Sequence, residues 1–257
     1  MFLSYFDDSS DDRREKFQAC GGLVGHESFW DTFEVLWTDA TASLSQPFRA
    51  TQCECQHGQF SKWNKEDCDA LMRKLVDVIN RHSRLGGFTS VVPISDFKQV
   101  FKNSAEYDPF YLAATHVFVN MAHLGALYKQ PVKVRFETNT KTNGRCKQIF
   151  DELRSLKLWG NRIYLSEFTT GSKSLLPLQA ADLVAREGLK MMMNLGNRPL
   201  RIPAKRLWQQ STFILWTKEE LQEFKEHGGL SDLPALISWL PPTSYATYRP
   251  FVDPTRR

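Results

Sequence analysis

Several common sources of catalytic power are missing from this chain. It has no Gly-x-Gly-x-x-Gly run, no P-loop and no Gly-x-Ser-x-Gly elbow, which counts against dinucleotide, nucleoside-triphosphate and serine-hydrolase chemistry. No apolar run approaches the roughly 18 residues of a membrane-spanning helix, so no membrane partner is expected. The opening "MFLSYFDD" lacks the basic start and long apolar stretch of a secretory signal, and the expected location is cytoplasmic. Cysteine is scarce and odd in number (Cys20, Cys53, Cys55, Cys68, Cys146), which reads as reduced thiols. Within "CECQH", Cys53, Cys55 and His57 alternate, but structural zinc takes a wider cysteine spacing and a second pair. No second pair is there. Excess charge is small too, +4 over 257 residues. It permits a polyanionic partner without requiring one.

What is present suits one large globular domain, or a domain with an appendage: 42% hydrophobic and 24% charged residues. "MFLSYF" and "KFQACGGLVG" read as strands joined by the polar turn "DDSSDDRRE", too short for a parallel crossover and therefore an antiparallel pair. "ESFWDTFEVLWTDA" and "KEDCDALMRKLVDVINRH" have helical spacing, and "FRATQCEC" and "GGFTSVVPI" read as strands. "DPFYLAATHVFVNMAHLGALY" is a helix with Asp108 as N-cap and Pro109 in its first turn. There follow strand "PVKVRFE", helix "GRCKQIFDELRSL", strand "NRIYLSEF" and helix "LLPLQAADLVAREGLKMMM". This alternation predicts an α/β layered fold over residues 1–195. Residues 196–257 read as a helical and Pro-rich C-terminal extension packed on that core, with "NRPLRIPAKRLW" interleaving basic and apolar residues as a nucleic-acid-binding edge does, a plain solvated loop being the alternative.

The acids fall in a pattern. Asp7 and Asp8 follow the first strand, Glu54 stands near the end of the third and Glu137 closes "PVKVRFE". Asp182 lies four residues after Leu178 and three before Ala185, on the apolar side of its helix. A buried carboxylate there needs a cation, a metal or strong hydrogen-bond donors; a Lys or Arg salt bridge, or the capping of a neighbouring loop, are the alternatives to a metal. Several strand-end acids with one inward acid suit Mg²⁺ or Mn²⁺, which take oxygen ligands and leave positions for phosphate oxygens. His116 and His123, seven apart, lack ligand spacing and read as core or surface residues. Lys173, in "GSK", reads as a solvated loop lysine, with phosphate contact the alternative.

The same residues resemble the domain of unknown function 3800 family, whose members are expected to adopt a ribonuclease H-like fold. "YFDDSS" is similar to its opening strand and acids, and "FRATQCECQHGQFSKW" to its Phe-x-x-Thr-acid segment leading to Gly-x-Phe-x-x-Trp. "VRFETNTKTNG" is similar to its Phe-acid segment, and "LQAADLVAREGLK" to its most distinctive signature, Leu-Gln-x-Ala-Asp-Leu followed by Ala-x-Glu. The resemblance spans about residues 2–190. After "RAT" the family often has an acid where this chain has Gln52, and Glu54, on the same face of a strand, would substitute. The resemblance implies a ribonuclease H-like mixed sheet flanked by helices. It also implies a divalent-metal nuclease in which Asp7, Glu137 and Asp182 ligate Mg or Mn and Glu54 completes the catalytic set, with Glu187 a weaker match. A nucleic acid, DNA or RNA, is then the expected partner, with a protein partner or a homo-oligomer also possible. A non-catalytic nucleic-acid-binding module, or a protein-interaction subunit of a multi-component system docking through the aromatic tail, remains the alternative.

Overall fold

In the computed structural model, residues 1–229 and 232 are described, except 12, 82–84, 103–107, 157–163, 195–198, 200 and 208–210. The Pro-rich tail at 233–257 and parts of "NRPLRIPAKRLW" and "NRIYLSEF" lie outside them. Six strands form one sheet: β1 (Phe2–Ser10), β2 (Phe17–His26), β3 (Leu85–Pro93), β4 (Val132–Glu137), β5 (Leu165–Gly171) and β6 (Ser211–Leu215), in the order β5-β4-β1-β2-β3-β6. β1, β2 and β3 are an antiparallel meander, while β4 is parallel to β1, β5 to β4 and β6 to β3. Only β2 therefore runs against the other strands. The α/β layering is that expected from the alternation of elements, and the strand order and directions are those of the ribonuclease H-like mixed sheet that the family resemblance implies, with helices on both faces.

One face is covered by α4 (Ile94–Val100), α5 (Pro109–Tyr128), α6 (Asn143–Ser155) and α9 (Lys218–Glu226), packed on Phe2, Phe6, Val24, Phe88 and Val134. The other carries α1 (Trp30–Thr41), α2 (Ala50–Cys55), α3 (Lys65–Arg81), α7 (Leu176–Met193) and α8 (Ile202–Leu207), packed on Tyr5 and Leu23. α5 begins as predicted, with Asp108 accepting a hydrogen bond from the Phe110 amide and Pro109 in the first turn. By length and composition α5 could cross a membrane, contrary to the sequence expectation of no such run, but 78% of its apolar window is buried. Its apolarity is that of a central core helix.

Two local expectations change. β1 continues past its apolar part to Ser10, so Asp7 and Asp8 sit inside the strand, paired with Gly21 and Cys20. The turn is delayed because the Asp11 carboxylate gathers the amides of Glu15, Lys16 and Phe17. "FRATQCEC" is not a strand. Its Ala50 and Cys53, three residues apart, are the buried positions of the short helix α2, which ends at Gln56 in the left-handed region. An alternating small–polar pattern over so few residues fits either period.

Strand alternation now assigns faces. Tyr5 and Asp7 look toward α7, while Phe6 and Asp8 look toward α5 and α6. α7 lies close on the sheet because Gly21, opposite Asp7, has no side chain. A Cβ there would stand 2.8 Å from the Ala185 Cα and against the Thr89 side chain. Gly188, one turn on, makes a similar approach to Thr89. Gly21→Ala should therefore lift the helix that carries Asp182. The expected cost is about 1–3 kcal/mol, read as a lower urea midpoint with an unchanged m-value.

Candidate carboxylate–lysine site

Because five strands share one direction, the ends of β1, β4 and β5 open at the same edge. After β1 the chain moves to one side through β2 and β3, then returns to pair β4 on the other, so the β1/β4 boundary is the topological switch point where open α/β sheets hold ligands. Phe6 pairs with Phe136 in parallel register, which places Asp7 and Glu137 next to each other across that boundary. Both lie on the α7 face. Asp182, on the buried side of α7, completes a group of three carboxylates drawn from three elements.

At its centre is Lys173, in the short loop between β5 and α7. Its ammonium bonds the Asp7 carboxylate and lies 3.4 Å from Glu137 Oε2 and 3.7 Å from Asp182 Oδ2. Asp7 and Lys173 are each only 3% exposed. Lys173 also donates to the Leu178 carbonyl at 3.1 Å. Gln179 fixes its backbone: Nε2 donates to the Lys173 carbonyl, while Oε1 accepts from Trp37 Nε1 and the Phe48 amide. The "FRAT" segment supplies two further contacts. The Ala50 amide donates to Asp182 Oδ2 at 2.8 Å, and Arg49 donates to Glu137 Oε1 at 3.1 Å. Asp182 thus has both a lysine partner and a loop to cap, the two alternatives the sequence allows beside a metal.

The electrostatics follow from burial and crowding. Burial pushes the Asp7 carboxyl well above the usual range, against the pull of Lys173 and with the repulsion of Asp182 and Glu137 behind it. At Glu137 burial also raises the value, but it is outweighed by Lys173, a hydrogen bond with Asp7 and Arg49, and the group ends below the usual range. Burial alone would lower Lys173; Asp182, Asp7 and Glu137 together raise it. The ammonium is therefore what makes three adjacent buried carboxylates tolerable.

The structure brings together Asp7, Glu137 and Asp182, and leaves Glu54 out. In a helix rather than a strand, Glu54 falls one turn beyond Ala50. There it meets Arg186 at 2.7 Å, Arg201 at 2.8 Å and Lys190 at 3.3 Å. Burial raises its pKa, but these three cations outweigh it and hold the group low. Glu187 is wholly buried beside Arg201, at 3.2 Å, and burial pushes it up to about 7. Asp8 is on the opposite face, as alternation requires. Burial is the main cause of its raised pKa. Cys53 is buried and Cys55 exposed, so the "CECQH" positions do not converge. His116 is a core residue beside Ser90, pushed down to about 3 by burial. Sequence reasoning missed Arg49 and Gln179 and took Lys173 for a solvated loop lysine, whereas it is buried against Asp7; the signal was adjacency, since Lys173 precedes the Leu-Gln-x-Ala-Asp signature by only a few residues.

Three carboxylates are the right donor type for a hard divalent cation. As the side chains stand they are arranged around an ammonium, and among the described residues no three carboxylate, imidazole or thiol groups are placed to hold an ion together. In donor type alone the three acids match Mg²⁺ or Mn²⁺; in position they match the Lys173 ammonium.

Removing that charge gives a direct test. Lys173→Met should destabilise the protein by about 3–5 kcal/mol near pH 7, the usual cost of breaking a buried ion pair. Lys173 is raised, so its contribution is present below its unfolded value of about 10.4 and is lost only as pH rises beyond it. Glu137 is lowered, so its contribution is present above about 4.3 and is lost as pH falls through the folded value. Asp7, being raised, acts in the opposite sense. Without Lys173 the Asp7 and Glu137 carboxyls lose their lowering partner and rise further, so the variant regains stability as they protonate. The gap between the wild-type and variant denaturation midpoints should therefore be widest near neutrality and narrow toward pH 4. A gap that stays constant down to pH 4 would contradict the charge assignment.

No family model matches the chain, and no curated protein matches it. Among solved structures it is similar to one described as the PCNA:RNase HII complex from Archaeoglobus fulgidus, with 13% identity over 89% of this chain and 90% of that one, at a TM-score of 0.41. So low a score carries no weight, and the fold assignment rests on strand order and direction.

Proposed function

We propose that this chain is a divalent-metal-dependent nuclease, and a member of the domain of unknown function 3800 family that its motifs resemble. The observation that supports this reading is the meeting of Asp7, Glu137 and Asp182, from β1, β4 and α7, at the switch point of a ribonuclease H-like sheet. Asp7, Glu137 and Asp182 would hold the ion. When bound, such an ion neutralises charge on a phosphodiester and activates water.

The chain's own residues prepare that chemistry. Burial of Asp7 beneath α7 excludes bulk water from one side of the group. Glu137, 19% exposed, and Arg49, 48% exposed, form the accessible side. The Arg49 guanidinium spends one nitrogen on Glu137 and turns further donors outward, where a phosphate oxygen can accept them. Lys173 keeps the carboxylates together in the absence of an ion. Gln179 and the Ala50 amide hold Lys173 and Asp182 in register with Asp7.

A second reading draws on the position of Lys173. A tethered ammonium at the centre of the acids would make the group a permanent ion pair, and the protein a non-catalytic binding module. Metal binding separates the two. In the nuclease reading, calorimetry detects Mn²⁺ binding that Asp182→Asn removes and Lys173→Met strengthens. In the module reading Mn²⁺ binds neither protein.

Activity should follow the face of the strand. Purified protein should cut nucleic acid in Mg²⁺ or Mn²⁺ and stop in chelator. Asp7→Asn and Asp182→Asn should each lower the rate at least ~10²-fold in a folded protein. Asp8→Asn, on the opposite face, should change it only a few-fold. Equal losses at Asp7 and Asp8 would place the chemistry elsewhere.

A further inference from the structure

Beyond the carboxylate group, α7 leads to a second charged region. One turn after Asp182, Arg186 binds Glu54; two turns after it, Lys190 shares the same carboxylate. Past these residues lies a cavity of about 780 Å³ bordered by α2, α3, the start of β2 and the end of α7. Five cationic side chains line it: Lys16, Lys65, Arg73, Lys190 and Arg201. Only two carboxylates, Glu54 and Asp69, line it with them. Lys65 is paired with Asp69, and Lys190 and Arg201 share Glu54 with Arg186. Lys16 and Arg73 have no ion-pair partner among the described residues. Ile202, a large apolar side chain left 53% exposed, stands at the rim with Pro203.

With more cations than carboxylates around one space, an anion entering it is attracted. A lining of lysine and arginine heads with an apolar rim matches a phosphate joined to a sugar and base. Position narrows the ligand further. Asp182 and Lys190 are eight residues apart on one helix, about 12 Å along its axis. One strand of a duplex presents a phosphate every ~3.4 Å of axis, so ~12 Å spans roughly three phosphates.

We propose that this cavity is a backbone subsite which seats the phosphates of a nucleic-acid strand about three nucleotides from the carboxylate group. Its position relative to a cleaved bond rests on the nuclease reading; its ability to bind a strand does not. Lys16 and Arg73 are the contacts with charge to spare, and Arg201 is a wall residue fixed between Glu54 and Glu187.

The probe is a fluorescent 12-nucleotide single strand, its anisotropy followed in chelator so that nothing is cut. Lys16→Glu/Arg73→Glu should weaken binding about tenfold or more and reduce the slope of log affinity against log salt by about 1.4, two contacts at ~0.7 each. Lys16→Gln/Arg73→Gln should lose less in affinity with the same change of slope. Lys147→Glu, on α6 across the sheet, should stay within about twofold of wild type. Hydrolysis of a small chromogenic phosphodiester in Mn²⁺ should be unchanged in the double variants, since it reaches only the carboxylates. If no diester is hydrolysed but the double variants still lose strand binding, the nuclease reading fails and the subsite stands. Wild-type binding by the double variants, a loss no greater than that of Lys147→Glu, or no strand binding by the wild type would overturn the proposal. Displacement of the strand by ATP at equal molar concentration would also overturn it, making the cavity a mononucleotide pocket.

Discussion

The ammonium of Lys173 is the interaction on which the centre of this protein depends. Asp7, Glu137 and Asp182 come from elements far apart in sequence, and folding brings them together around a lysine that is almost wholly buried. Without a cation among them, docking α7 on the sheet would leave adjacent buried carboxylates in mutual repulsion. The loop from β5 to α7 therefore has a purpose beyond connection. It sets one positive charge where three negative ones meet, and Gln179 ties it to α1 and to the segment before α2. A group that requires a cation ties the docking of α7 to the charge of Lys173.

Sheet direction explains why the group forms where it does. With only β2 running counter, the ends of β1, β4 and β5 share an edge, and the path of the chain reverses at the β1/β4 boundary. α7 lies over β1, β2 and β3, beside that boundary, and is held close by Gly21 and Gly188. The helix then arranges its polar side chains by turns: Asp182 at the acids, Arg186 against Glu54, Lys190 at the basic cavity. One element thereby connects the buried carboxylate group with the basic cavity.

Much of this was legible in the sequence. The antiparallel start, the strand ending at Glu137 and the inward face of Asp182 follow from periodicities of two and 3.6, which need only short windows. Three of the four proposed acids meet because strand alternation and helix spacing are strong signals. Glu54 was misplaced for a local reason: "FRATQCEC" contains too few large residues to distinguish the two periods, and tertiary packing of Ala50 and Cys53 decided for a helix. Lys173 was hidden for a different reason. A lysine in a short polar loop looks solvated, and only the folded position of the loop, beneath α7 and between two strand ends, shows that it is buried. Of the basic cavity only Arg201, within "NRPLRIPAKRLW", was visible as part of a basic stretch; Lys16, Arg73 and Lys190 are scattered through the chain.

The most direct measurement is a crystal structure of the protein soaked in Mn²⁺, with the ion located by anomalous scattering. Manganese among the carboxylates of Asp7, Glu137 and Asp182, with the Lys173 ammonium moved away from Asp7, is the result this account predicts. A Lys173 side chain still bonded to Asp7 at saturating Mn²⁺, with no ion among the three acids, would contradict it.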